Sequence, residues 1–133
     1  MGYRGYIFSR VFMGERVPQH IQNIVIRDYC AKRNICFLLS VTEYGMENSY
    51  LILNQIVEEL AEIDGIVCYS LFQLPVCHME RNAIIRRVLD AGKSLHFAVE
   101  SLSIIDDEDH SRIDDIMKVR QTLPYCFLSK EVV

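Results

Sequence analysis

Four apolar runs of strand length alternate along this chain with stretches whose apolar residues recur every three or four positions. That alternation leaves few folds open. The runs are residues 3–8, 36–41 (CFLLSV), 65–70 (GIVCYS) and 94–100 (SLHFAVE). Pro18 suits the first turn of an intervening helix, where a missing N–H costs nothing, and Ile21, Ile24, Val25 and Tyr29 carry that helix to about residue 32. Asn48 or Ser49 caps a second helix with a stripe of Leu53, Ile56, Val57 and Leu60. A third, over 79–91, carries Ile84, Ile85, Val88 and Leu89 and ends at Gly92. Strands separated by helices pair in parallel, and their helices cover the sheet faces. Right-handed crossovers then leave a short list of topologies, of which strand order 2-1-3-4 is the expected one. At 133 residues the chain makes one α/β domain over 1–133, with its core over about 3–104.

The segment 105–133 is less regular. Asp106, Asp107, Glu108 and Asp109 form an acidic run that suits the start of a helix over about 109–120, where negative charge is favoured. Magnesium ligation is the alternative reading of the same run. The closing stretch LPYCFLSKEVV is apolar and adds an edge strand or covers a partner subunit.

Composition excludes several classes. The formal net charge of −4 argues against phosphate-driven, non-specific nucleic-acid binding, so no nucleic-acid partner is expected. No apolar stretch reaches the roughly 18–20 residues of a membrane span, and the N-terminus lacks a signal-peptide pattern. The expectation is a cytoplasmic protein without membrane insertion. Five cysteines without a CxxC pair point to reduced thiols, not to a disulfide framework or a structural zinc. Cys77-His78 is the one Cys/His neighbour pair, a nucleophile and base if the fold brings the side chains together. Dinucleotide, P-loop, zinc-protease and nucleophile-elbow motifs are missing, and neither cofactor nor metal is expected.

In an open parallel sheet, ligands bind beyond the carboxyl ends of the strands, where the strand order reverses. Here that point lies between the first and third strands. The residues just past the strands are Ser9 and Arg10, Glu43 and Tyr44, Tyr69, Ser70 and Gln73, and Glu100. Ser9-Arg10 stands beside the N-terminus of the first helix, so Arg10 and free helix N–H groups suit a phosphate or carboxylate. An ion pair from Arg10 to Glu43 or Glu100 is the alternative. Gln19, in the first helical turn, contacts a ligand or is simply exposed. Tyr44 and Tyr69 offer aromatic faces for a sugar or base. Glu43 and Glu100 are candidates for a general acid/base pair, with Ser9 and Ser70 the nearby hydroxyls.

GYIFSR, QHIQNIVIRDYC, GIVCYSLFQLP and LHFAVESLSI together resemble, in order and spacing, the catalytic domain of serine recombinases of the resolvase/invertase type over residues 4–104. This resemblance implies a flavodoxin/resolvase-like sheet with room for an extra edge strand. The catalytic set departs from the pattern. The family's nucleophilic serine falls nearest Arg10, with Ser9 one place out of register. Its first-strand arginine falls on Phe8, and the one before its second helix near Asn48. The Asp and Arg of its SLDRLxR motif become Phe72 and Gln73, and the last Arg falls on Cys77 or a neighbour. Without those arginines the resemblance implies a chain that is not an active serine recombinase. GYRGYIFSR, PQHIQN, TEYGMEN and YSLFQLP look like the small sporadic carbohydrate cluster proteins of bacterial surface-polysaccharide and lipopolysaccharide gene clusters, over about 1–125. That likeness implies a part in surface-glycan synthesis, with a sugar phosphate or nucleotide-activated sugar as ligand, and brings no established reaction. The rival expectation is a recombinase-like scaffold without chemistry, a homo-oligomeric protein-interaction module.

Overall fold

The structure is a computed structural model that describes residues 2–9, 17–43 and 50–132, with side chains described as far as 119. Its elements are β1 (Tyr3–Phe8), α1 (Gln19–Lys32), β2 (Phe37–Glu43), α2 (Leu51–Glu58), β3 (Gly65–Cys68), α3 (His78–Asp90), β4 (Ser94–Phe97), β5 (Leu102–Ile104) and α4 (Asp107–Val132), with single 3-10 turns at Leu60–Glu62 and Leu71–Gln73. The sheet order is β2-β1-β3-β4-β5. The first four strands run parallel and β5 is antiparallel to β4. The expected 2-1-3-4 order is therefore present, with an extra edge strand.

That edge strand is residues 102–104 and not the C-terminal apolar run, which continues α4 as helix. Period 2 and period 3.6 are not separable in so short an apolar run. Helix α4 begins where the acidic run places it: Asp106 accepts the Asp109 N–H at 2.9 Å, and Asp109 accepts the Ile105 N–H at 3.1 Å. Asp107 pairs with Arg86 of α3.

Alternation along each strand sends side chains to two unequal cores. Tyr6, Phe8, Ile66, Cys68, Leu95 and Phe97 pack beneath α2, α3 and α4 with Leu53, Ile56, Ile84, Ile85, Val88, Ile113 and Met117. On the other face, Ile7 and Val67 meet α1 through Ile26, Tyr29 and Cys30. Each such side chain taken from water contributes about 1.5–3 kcal/mol, so the three-helix side dominates the stability. Between the pairs Tyr3↔Phe37 and Gly5↔Ser40, β2 carries one more residue than β1. This bulge leaves Leu39 75% exposed on the open edge. The described cysteines Cys30, Cys36, Cys68 and Cys77 are free thiols. Among the described residues, no helix is long and apolar enough to cross a membrane.

Candidate functional site

The strand ends gather most of the expected residues, and the way they are bonded decides what they can do. At the junction of β1 and β3, Gln22 is wholly buried. Its Nε2 donates to the carbonyls of Phe8 at 2.8 Å and Val17 at 2.9 Å. Its Oε1 accepts the Phe8 N–H at 3.0 Å and Gln73 Nε2 at 2.9 Å. Gln73, also wholly buried, accepts the Tyr69 N–H at 3.1 Å and the Ser70 N–H at 3.4 Å on Oε1. The reversal point of the sheet is thus bridged by two neutral side-chain amides that continue the backbone bonding of β1 and β3. Gln22 was not among the expected residues. By residue type Gln22 belongs with Gln19, Asn23 and Arg27 on a polar face of α1; the structure corrects this, because Gln22 stands four before Ile26 and seven before Tyr29 on the buried stripe, while Ile21 and Ile24 of the expected apolar stripe are exposed.

Glu43, 1% exposed, is a helix cap. It accepts the N–H groups of Ile52 at 3.1 Å and Leu53 at 3.2 Å at the start of α2, and the Tyr6 hydroxyl at 2.8 Å. Neither expected residue, Asn48 nor Ser49, lies among the described residues, so the cap that the structure shows comes from the previous strand. Glu100 stands in the turn after β4, which ends at Phe97 and not at residue 100. It accepts the Ser70 hydroxyl at 2.8 Å and the Leu71 N–H at 2.9 Å. Ser70 in turn accepts the Phe72 N–H at 3.2 Å and forms a capping box with Gln73 around the 3-10 turn. Ser9 donates its hydroxyl to the Glu43 carbonyl at 3.1 Å. Gln19 is exposed and accepts the Thr42 hydroxyl at 3.4 Å. Tyr69 is half-buried against the smaller core. Arg10 and Tyr44 lie outside the described residues.

Ser70, Gln73 and Glu100 are therefore brought together, and Ser9 meets Glu43. Each of these side chains is engaged with backbone or with a neighbouring candidate. Carboxylates that hold helix-start N–H groups stabilise the turns they cap. Beside this cluster, an open groove of about 480 Å³ between α2 and α3 is lined by Tyr50, Leu51, Asn54, Pro75, Glu80 and Arg87. Cys77 and His78 stand at the start of α3, where His78 faces Arg81 at 3.3 Å and Asp114 at 3.9 Å.

No family model and no curated protein matches the chain. A solved structure does: the N-terminal catalytic domain of TP901-1 integrase, with a TM-score of 0.56 and 12% identity, over 93% of this chain and 98% of that one. At that identity the likeness establishes the fold. It also corrects one expectation. The exclusion of nucleic acid rested on a net charge of −4, and the neighbour is the N-terminal catalytic domain of an integrase. Bulk charge therefore does not remove nucleic acid from the partners of a chain with this architecture.

Proposed function

We propose that this chain is a recombinase-like scaffold that works as an oligomeric binding module and carries no chemistry at Glu43, Glu100, Ser9 or Ser70. One observation carries the reading: these four side chains are bonded into the caps and strand ends of their own fold. A general base needs a lone pair directed at substrate, and here those lone pairs face backbone N–H groups. The 26-residue α4, roughly 39 Å long at 1.5 Å per residue, is the longest element described. Sedimentation velocity on the full chain tests the reading. A stable dimer or larger species is expected, and a strict monomer at all concentrations overturns it.

A second reading is favoured by α1. That helix starts after Pro18 with no side-chain cap and no acid in its first turn; the Ile21 and Gln22 N–H groups bond the Pro18 carbonyl, and those of Gln19 and His20 have no backbone partner among the described residues. With the likeness of the loop motifs to sporadic carbohydrate cluster proteins, this supports an anion site for a phosphorylated or nucleotide-activated sugar in surface-polysaccharide synthesis. A thermal-shift series with nucleotide sugars and sugar phosphates separates the two. A shift lost in Arg10→Ala selects the sugar reading, and a flat series with folded protein selects the scaffold. Duplex DNA belongs in the same series, at low and high salt, because a phosphate-driven complex weakens steeply with salt.

A further inference from the structure

On the α1 side of the sheet, four polar side chains form a chain beneath a single helix. Tyr3 Oη lies 3.0 Å from Ser94 Oγ, Ser94 Oγ 3.0 Å from His96 Nε2, and His96 Nδ1 2.8 Å from Tyr29 Oη. Ser94, His96 and Tyr29 are all buried. A sheet face under a helix is ordinarily filled with apolar side chains, and a buried polar chain is retained only where every member is bonded. This one ends at Tyr29, whose side chain borders a cavity of about 330 Å³. Val25, Asp28, Tyr29, Lys32 and Arg33 of α1 and its end form one wall, and Ala98 and Ser101 of the β4–β5 turn the other.

Charge in that cavity is not balanced. Lys32 is paired with Asp28 at 3.0 Å. The Arg33 guanidinium lies over the Tyr29 ring, 4.4 Å from its centroid, and has no carboxylate partner among the described residues. The facing turn is held by Ser101 at a φ of 54°, a left-handed conformation that a serine adopts only where its surroundings impose it. A fork of guanidinium donors on an aromatic floor, in a cavity at the small end of the ligand-site range, matches a small oxyanion. The carbonyls that end α1 oppose an anion there, and the excess cation of Arg33 outweighs them.

We propose that this cavity between the end of α1 and the β4–β5 turn binds a small ligand through a phosphate or carboxylate group, with Arg33 as its anchor. The Tyr29–His96–Ser94–Tyr3 chain fixes the floor of the site and couples it to the sheet. His96 is held neutral by burial and by the Arg33 charge, so an anion that offsets Arg33 changes the electrostatic surroundings of the imidazole.

The test is a titration of the full chain with inorganic phosphate, and separately with acetate, at constant ionic strength. Melting temperature and the imidazole ¹⁵N resonances are followed together. A saturable rise in melting temperature with movement of the His96 resonances is expected. In Arg33→Gln, an exposed position where folding is retained, the apparent affinity falls about tenfold or more. In Arg10→Ala the response persists, which separates this site from the one at the sheet end. A response to acetate as well as phosphate assigns carboxylates to the site, and a response to phosphate alone assigns phosphates. The proposal is overturned if neither anion gives a saturable response, if Arg33→Gln responds like the native chain, or if His96 stays still while exposed histidines move.

Discussion

Gln22 shows how much a single side chain contributes when its bonding capacity is filled. Truncation to alanine removes a partner from the Phe8 N–H, from its carbonyl and from the Gln73 amide, all in a buried place. Gln22→Ala is expected to cost about 2–4 kcal/mol, read as a drop in urea midpoint with an unchanged slope. Glu43→Ala removes the cap of α2 and the Tyr6 partner, for about 2 kcal/mol, and Glu43→Gln recovers part of it because an amide oxygen still accepts. His96 gives a pH signature. Burial first, and then the Arg33 charge, push its pKa from 6.5 down to about 4. Tyr29 from α1, Arg33 just past its end, Tyr3 from β1 and Ser94 beside it are the groups that face it. The folded state resists protonation, so its contribution is complete above pH 6.5 and is lost as pH falls toward 4. The loss is about 2 kcal/mol after solvent screening. The difference in unfolding free energy between the native chain and His96→Gln, measured at pH 7.5 and 4.5, isolates it from the three other histidines.

At the scale of elements, the joint between α3 and α4 rests on Arg81, which is 2% exposed. Its guanidinium donates to the Pro75 and Val76 carbonyls at 3.3 and 3.1 Å and reaches Asp114 of α4 at 3.5 Å. Arg81→Ala leaves Asp114 without that partner and is expected to cost about 3 kcal/mol, whereas Arg81→Met, which keeps the packing, costs less. Gly92 ends α3 at a φ of +73° with open space around it, so Gly92→Ala carries backbone strain alone, about 1 kcal/mol. Most elements were legible in the sequence because their signals are local. Three- and four-residue spacing marked α1 and α3, Gly92 marked a helix end, and apolar runs of strand length marked the first four strands. The cap of α2 was not legible, since Glu43 reaches it across a loop and no local pattern records that contact. The same holds for the Gln22–Gln73 bond, which joins residues 51 apart. The edge-strand reading of the C-terminal run was wrong, because an apolar stretch that short shows neither period clearly; its other reading, cover for a partner subunit, is a separate matter.

For the whole molecule, connection handedness narrowed the strand order to a short list that held the observed one, but the role of the strand ends was not legible. Polar residues collect there whether they bind a ligand or cap the fold, and only bond partners distinguish the two. The sheet's centre is correspondingly intolerant. A Cβ at Gly65 would sit 2.3 Å from the Ser94 carbonyl and 2.6 Å from the Tyr3 ring. Gly65→Ala must part β3 from its neighbours and is expected to cost more than about 3 kcal/mol, seen as a loss of cooperative thermal unfolding.

Two faces of one sheet are covered unequally, three helices against one. The consequence lies in time as well as in energy. Opening of α1 exposes the smaller apolar cluster and leaves the sheet clamped from behind, so its backbone amides trade hydrogen for deuterium through a local excursion that β3 does not share. The chain should therefore breathe from one side, with Tyr29 and Arg33 carried on the part that moves.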